Sequence, residues 1–158
     1  MLSESARMSS AAEARFRVQA PNSTSRAITV VALDAAGARV VRDLASAGWQ
    51  HASFFTALSP DGTLTGTAGD SRTITDEVDT TDLVVLVAGP GGHAGAASAI
   101  GQACSLRRVM TTGFVVGAAS ASQTAVSKTL AQLRPWSLMV VIADSDEYID
   151  DMLTALRA

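Results

Sequence analysis

A glycine-rich stretch in the middle of the chain has the residue types that bind phosphate through the backbone. The segment TDLVVLVAGPGGHAGAASAIGQA, residues 81–103, passes from an apolar run through a glycine-rich turn into a run of small residues. Where such a turn leads from a buried strand into a helix, backbone N–H groups converge and the helix dipole favours an anion. The stretch therefore predicts an anion- or nucleotide-binding loop, or else a tight turn whose glycines permit close packing.

The loop itself supplies most of the candidate binding residues. They are Ala88, Gly89, Gly91, Gly92, His93, Ala94 and Gly95. Alanines stand where a phosphate loop commonly has Ser or Thr, so hydroxyl groups that would contact phosphate are missing, whereas backbone N–H groups do not depend on side chains. His93 is expected to donate to a phosphate, to fill the site, or simply to occupy a surface turn.

Alternating apolar and amphipathic segments must position this loop. Apolar runs predict strands at 27–33, 51–58, 83–88, 108–118 and 137–143, and helical spacing predicts helices at 35–48, 92–105, 120–134 and 145–158. Residues 59–72 are predicted to be one long loop, and residues 73–82 a short strand or a helical turn. Strands that are apolar throughout are covered on both faces. We therefore predict an α/β fold, a three-layer Rossmann-like sandwich with a mostly parallel sheet.

Ligands of such sheets bind at the carboxyl ends of strands, beside helix N-termini. Three turns meet this condition, at residues 32–37, 88–95 and 143–146. Acidic residues lie in and directly after the last of them, at Asp144, Asp146 and Glu147; we interpret them mainly as helix-dipole compensation and solvated surface, with a Mg²⁺ site as the alternative.

Four segments, in order, resemble the nucleotide-binding domain of the tubulin/FtsZ superfamily. They are RAITVVALDAAGARVVRDLASAG, FFTALSPD, TDLVVLVAGPGGHAGAASAI and LRPWSLMVVIADSDEYI, and they span roughly residues 26–148. They are similar to the family's opening strand, turn and first helix, its second strand, its signature glycine loop with the following helix, and its strand ending in Pro-Asn-Asp. The resemblance implies a single nucleotide-binding-type domain over residues 26–158. The cofactor is left open, with GTP and GDP as the candidates.

The resemblance is carried over residue by residue. The loop at 88–95 matches the signature that cradles GTP phosphates, and the resemblance adds Ala35 and Gly37 of the first turn. Asp144 stands where FtsZ has an asparagine. The main conflict is Asp34, at a place where the family has glycine, because a carboxylate beside a phosphate is repulsive unless Mg²⁺ intervenes. No catalytic residue and no metal ligand is assigned.

The family's catalytic loop and second domain are expected to be missing, since they would follow the last strand. The predicted function is therefore that of a divergent FtsZ-like domain, a non-hydrolysing binding or regulatory protein. The second interpretation is a guanine-nucleotide-binding protein that uses residues 89–95, with hydrolysis completed by a partner chain. The third is a Rossmann-type enzyme acting on a small phosphorylated substrate. Whether the chain is an enzyme stays open.

Composition and charge argue against several other classes of function. The net charge is −3 and no basic run is interleaved with aromatics, so we expect no nucleic acid as partner. No apolar run is long enough for a membrane span, and no secretory signal is recognised, so a cytoplasmic location without membrane contact is expected. The single cysteine, Cys104, and two distant histidines favour a buried structural thiol over a metal site.

Two expectations concern the ends of the domain and its partners. Residues 1–25 are rich in Ala, Ser and Arg and are expected to form a flexible tail. FtsZ-like domains associate head to tail, and a domain with one of the two complementary faces would form a closed dimer more readily than a filament. Self-association or a protein partner is therefore expected.

Overall fold

In the computed structural model, residues 24–158 are described. The tail expected at residues 1–25 therefore falls almost wholly outside the described residues. The strands are β1 (Ile28–Ala32), β2 (Ala52–Thr56), β3 (Leu64–Gly66), β4 (Ser71–Arg72), β5 (Leu83–Ala88), β6 (Met110–Val116) and β7 (Met139–Ala143). The helices are α1 (Ala35–Ala45), α2 (Ile74–Val78), α3 (Ala96–Arg107), α4 (Gln123–Leu133) and α5 (Glu147–Ala155).

The strands form one sheet in the order β4-β3-β2-β1-β5-β6-β7. β2, β1, β5, β6 and β7 are parallel to one another, while β3 is antiparallel to β2 and β4 is antiparallel to β3. The prediction of an α/β, Rossmann-like three-layer fold with a mostly parallel sheet is confirmed. The chain runs outward from β1 to β4 and returns to β5 on the other side of β1. The strand order therefore reverses between β1 and β5, the position where open α/β sheets commonly bind ligands.

The segment between β2 and β5 differs from its prediction. The single loop expected at residues 59–72 contains the antiparallel strands β3 and β4, in which Leu64 pairs with Arg72. The ambiguous stretch that follows is helical. Thr73 caps α2, since its hydroxyl accepts a 3.3 Å hydrogen bond from the Asp76 N–H.

Helices cover both faces of the sheet. α2, α3 and α4 pack on one face through a buried cluster that includes Val78, Ile100 and Leu133. α1 and α5 pack on the other, where Val41 and Leu153 meet inward-facing residues of β1, β5 and β6. β5 lies between the two layers, and its residues 84–88 have no exposed surface. Burying each such Val or Leu side chain stabilises the fold by about 1.5–3 kcal/mol.

A buried carboxylate ties the short outer elements to the centre of the sheet. Glu77 of α2 accepts a 2.7 Å hydrogen bond from the Thr29 hydroxyl of β1, and its other oxygen lies 3.1 Å from Nε of Arg72 in β4. This arrangement joins α2, β1 and β4, although β4 has only two residues.

Cys104 lies on the side of α3 that packs against the sheet, and the predicted burial of its thiol is confirmed. Burial raises the pKa of the Cys104 thiol above its usual value, and a side-chain hydrogen bond with Thr111 offsets part of the rise. The thiol is therefore neutral at physiological pH and a weak nucleophile.

Candidate functional site

The two glycine-containing turns predicted to bind phosphate lie side by side. β1 and β5 are adjacent and parallel, with Ile28 opposite Leu83 and Ala32 opposite Val87. The turn after β1 and the loop after β5 therefore meet at the carboxyl edge of the sheet. A backbone bond continues the pairing into the turn, since the Leu33 N–H donates to the Val87 carbonyl at 2.9 Å. We call the space between these two turns the crevice.

The carboxylate of Asp34 fills the crevice. Asp34 is the N-cap of α1, and its Oδ1 accepts a 2.8 Å hydrogen bond from the Gly37 N–H. The Gly89 N–H, from the other turn, donates to Oδ2 at 2.9 Å and to Oδ1 at 3.1 Å. A negatively charged group thus stands at a helix N-terminus and is held by backbone N–H groups of both turns. This is the position and the set of donors expected for a bound phosphate.

Glycines surround Asp34 because larger residues would not fit. A Cβ atom at Gly92 would lie 2.4 Å from Asp34 Oδ2. At Gly89 it would lie 2.5 Å from Cβ of Ala36, and at Gly37 it would lie 2.3 Å from the Val87 carbonyl oxygen. Among the glycines of these two turns, only Gly91, with φ +77°, has a backbone conformation that itself favours glycine. Close packing therefore accounts for three of these glycines without any ligand.

Helix α4 holds the loop after β5 from its other side. Fully buried Thr129 accepts a 2.9 Å hydrogen bond from the Gly91 N–H and donates to the Gly89 carbonyl at 3.0 Å. Oε1 of Gln132 accepts from the Ala94 N–H at 2.8 Å. Three backbone N–H groups of the predicted phosphate loop, those of Gly89, Gly91 and Ala94, are therefore bound to side chains of the chain itself.

The other predicted site residues lie around this arrangement in different environments. Ala88 and Ala94 are buried in the core, whereas Ala35 and Gly95 are exposed at the rim. His93 is exposed as well, so the residue that fills the space between the turns is Asp34 and not His93.

Asp144 does not join the crevice. It follows β7, which is two strands from β5 across the sheet, a separation of about 10 Å. Its Oδ1 accepts a 3.2 Å hydrogen bond from the Ala119 N–H in the turn after β6. The structure therefore brings together the predicted residues of two turns and leaves the third apart.

Two surface cavities outside the crevice are further candidates, one for a metal site and one for a ligand pocket. One of about 220 Å³ is lined by Asp146, Glu147, Asp150 and Asp151. In residues 24–158, however, no group of three or more His, Cys, Asp or Glu side chains is arranged to hold a metal ion. A cavity of about 450 Å³ is lined by residues that include Arg108, Trp136 and Leu138. It lies at the amino ends of β6 and β7, on the edge of the sheet opposite the crevice.

Family models and curated proteins identify no relative: no model of a known protein family matches the chain, and no curated protein matches it significantly. Across residues 24–158, the helices are all too short or too polar to cross a membrane.

The sequence did not predict that three side chains of the protein itself, those of Asp34, Thr129 and Gln132, accept hydrogen bonds from the loop. Asp34 had a local signal, because an Asp directly before a helix is a common N-cap. Thr129 and Gln132 carry no such signal, since their partners lie 38 residues away along the chain.

Proposed function

We propose that this chain is a non-hydrolysing binding or regulatory protein, built on a divergent FtsZ-like nucleotide-binding domain whose phosphate position is taken by its own Asp34. The observation that carries the proposal is the set of hydrogen bonds from Gly37 and Gly89 to the Asp34 carboxylate. A nucleotide phosphate would have to displace this carboxylate and would meet its negative charge if it did not.

The loop chemistry supports the same conclusion. Two further N–H groups, of Gly91 and Ala94, are bound to Thr129 and Gln132. The alanines of the loop offer no hydroxyl groups to a phosphate or to a coordinated Mg²⁺. An incoming nucleotide would have to break existing hydrogen bonds and would gain no hydroxyl contacts from the loop, which costs free energy for each donor exchanged.

A guanine-nucleotide-binding protein is the second candidate, and one observation favours it. Both turns lie where the strand order reverses, which is the usual binding position of this class of sheet. For this function, the Asp34 side chain would have to rotate out of the crevice when the nucleotide arrives. A partner chain would then complete hydrolysis.

The third interpretation, an enzyme on a small phosphorylated substrate, has weaker support. It calls for an open pocket with converging polar groups at the carboxyl ends of the strands. The 450 Å³ cavity lies at the amino ends instead.

Calorimetric titration of the full chain with GTP and GDP, with and without Mg²⁺, tests the proposal. ATP and NAD serve as controls for guanine selectivity. We expect no saturable binding at about 1 mM nucleotide, a concentration that reports affinities down to about −4 kcal/mol. Micromolar, guanine-selective binding by the unmodified chain would overturn the proposal and establish the second candidate.

The variant Asp34→Gly makes the test sharper. It removes the internal anion and leaves the N–H groups of Gly37 and Gly89 available, so we expect it to bind inorganic phosphate or GDP more tightly than the unmodified chain. Asp43→Ala is the matched control. It removes a carboxylate from an exposed position of α1, the helix that Asp34 caps, away from the N–H groups of Gly37 and Gly89, and should leave binding unchanged.

A further inference from the structure

The last strand of the sheet has a free side. β7 pairs with β6, and no strand of residues 24–158 pairs with its other side. The Gly117 N–H, just after β6, donates to the Ala143 carbonyl of β7 at 3.0 Å, so the Ala143 carbonyl points toward β6. Successive residues of a strand direct their backbone groups to opposite sides. Val140 and Ile142 therefore present their N–H and C=O groups to the free side.

Exposed apolar side chains accompany these backbone groups. Leu138 is 77% exposed and Ile142 is 52% exposed, both on the face that α4 covers, and Met139 is 49% exposed on the opposite face. Residues 137–143 include no charge, glycine or proline. Natural proteins usually protect an edge strand with charged residues or proline, or keep it very short. β4, at the other edge, has two residues, one of them the charged Arg72.

We infer that β7 pairs with β7 of a second copy of this chain, antiparallel, about a twofold axis perpendicular to the sheet. Side chains that meet across such a pair must lie on the same face of the sheet. The axis therefore passes between the two copies of one residue, which lie opposite each other. An axis at Val140 places Leu138 opposite Ile142 of the second copy. The same register places Met139 opposite Val141 of the second copy, so the exposed apolar residues of β7 cover one another. This inference is independent of the proposed function.

Charge complementarity favours a second copy of the chain as the partner of the β7 edge. The exposed Arg134 lies before the amino end of β7 and the exposed Arg108 before that of the neighbouring β6, while Asp144, Asp146 and Glu147 lie at the carboxyl end of β7. Antiparallel pairing brings the basic end of one copy beside the acidic end of the other, and the twofold axis makes this contact twice. A parallel arrangement would place like charges together, which is destabilising.

Sedimentation velocity of the full chain over a range of concentrations tests the inference. We expect a species of twice the mass of the chain that dissociates on dilution and weakens as NaCl is raised, because exposed ion pairs are screened. The variant Ile142→Lys places a charge in the apolar contact and should weaken association by about tenfold or more, equivalent to about 1.4 kcal/mol. The matched control is Leu58→Lys, which changes an exposed leucine after β2 and should leave the mass unchanged.

A charge exchange tests the orientation of the pair. Arg134→Glu alone and Asp146→Arg alone should each weaken association, and the double variant should restore it, because both contacts are then rebuilt with the signs reversed. Circular dichroism establishes that each variant is folded. A chain that stays monomeric up to about 1 mM would overturn the inference. A dimer that is insensitive to Ile142→Lys and to the charge exchange would also overturn it.

Discussion

The crevice between β1 and β5 and the free side of β7 are both places where α/β sheets meet other molecules, but they differ in how far their own polar groups are satisfied. In the crevice, Asp34 accepts hydrogen bonds from both turns, and Thr129 binds the loop from behind. At β7, backbone groups and apolar side chains remain exposed. Under the two proposals made above, the groups left without an internal partner, more than the glycine pattern, decide where this chain binds.

The largest expected effect is that of Gly37→Ala, which tests whether the crevice is closed by close packing. The added methyl group would meet the Val87 carbonyl of β5, and main chain cannot move aside as a flexible side chain can. We expect the free energy of unfolding to fall by about 3 kcal/mol, measured by urea denaturation. Gly95→Ala, where the nearest atoms of Pro60 are 3.9 Å away, is the control and should be tolerated.

The second largest effect is expected for Asp34→Ala, which tests whether the Asp34 side chain stabilises the fold or merely lies in a ligand-binding position. It removes the cap of α1 and leaves the N–H groups of Gly37 and Gly89 without their acceptor. We expect a loss of about 2 kcal/mol in thermal or urea unfolding. Asp43→Ala, at an exposed position of the same helix, should change stability by less than about 0.5 kcal/mol. Equal effects of the two variants would contradict the role given to Asp34.

A double-mutant cycle tests the direct contact between the two turns. Gly92→Ala should destabilise the unmodified chain because its methyl group would meet Asp34 Oδ2. In the Asp34→Ala background this clash is absent, so the same change should cost less. We expect a coupling free energy of about 1 kcal/mol, within the range found for residues in contact. Additive effects would show that the two turns do not meet through Asp34.

For Ile142→Lys, at the free side of β7, we expect a much smaller change in stability than for the variants in the crevice. Because the Ile142 side chain is half exposed and the edge carries no buried network, we expect the free energy of unfolding of the dilute monomer to change by less than about 0.5 kcal/mol. Chemical denaturation at low protein concentration measures it. A large loss of stability would mean that this edge, like the crevice, is part of the internal packing.

The smallest expected signal comes from Cys104. Because burial raises its pKa, the thiol stays protonated as pH rises through the range where an exposed cysteine ionises. Between about pH 7 and pH 9, alkylation of the native chain should remain slow, and urea should accelerate it. Fast alkylation of the native chain in this range would show that α3 opens locally around Cys104.

The parts of the fold that the sequence predicted are those with a strong local pattern. β5 is a continuous apolar run, and such a run must be buried on both faces wherever it lies. The antiparallel strands β3 and β4 were missed because they have three and two residues and bury little beyond Leu64. Their pairing depends on tertiary contacts, including the ion pair between Arg72 and Glu77, which leave no periodicity in the sequence.

The sequence predicted three candidate ligand-binding turns at the carboxyl ends of strands. The structure brings two of them together, after β1 and β5, and leaves the turn after β7 apart. The sequence also showed that Asp34 is in conflict with a phosphate. It did not show that the carboxylate is bound by Gly89, because that contact joins residues 55 positions apart.

The register of β1 against β5 has a consequence for the synthesis of the chain. Ile28 pairs with Leu83, so the apolar strand β1 gains its second neighbour only after about 55 more residues have been made. At a translation rate of about 5–20 residues per second, β1 is exposed on one edge for several seconds. Chaperone supply and translation speed between residues 33 and 88 should therefore influence the yield of folded chain even when the finished sheet is stable.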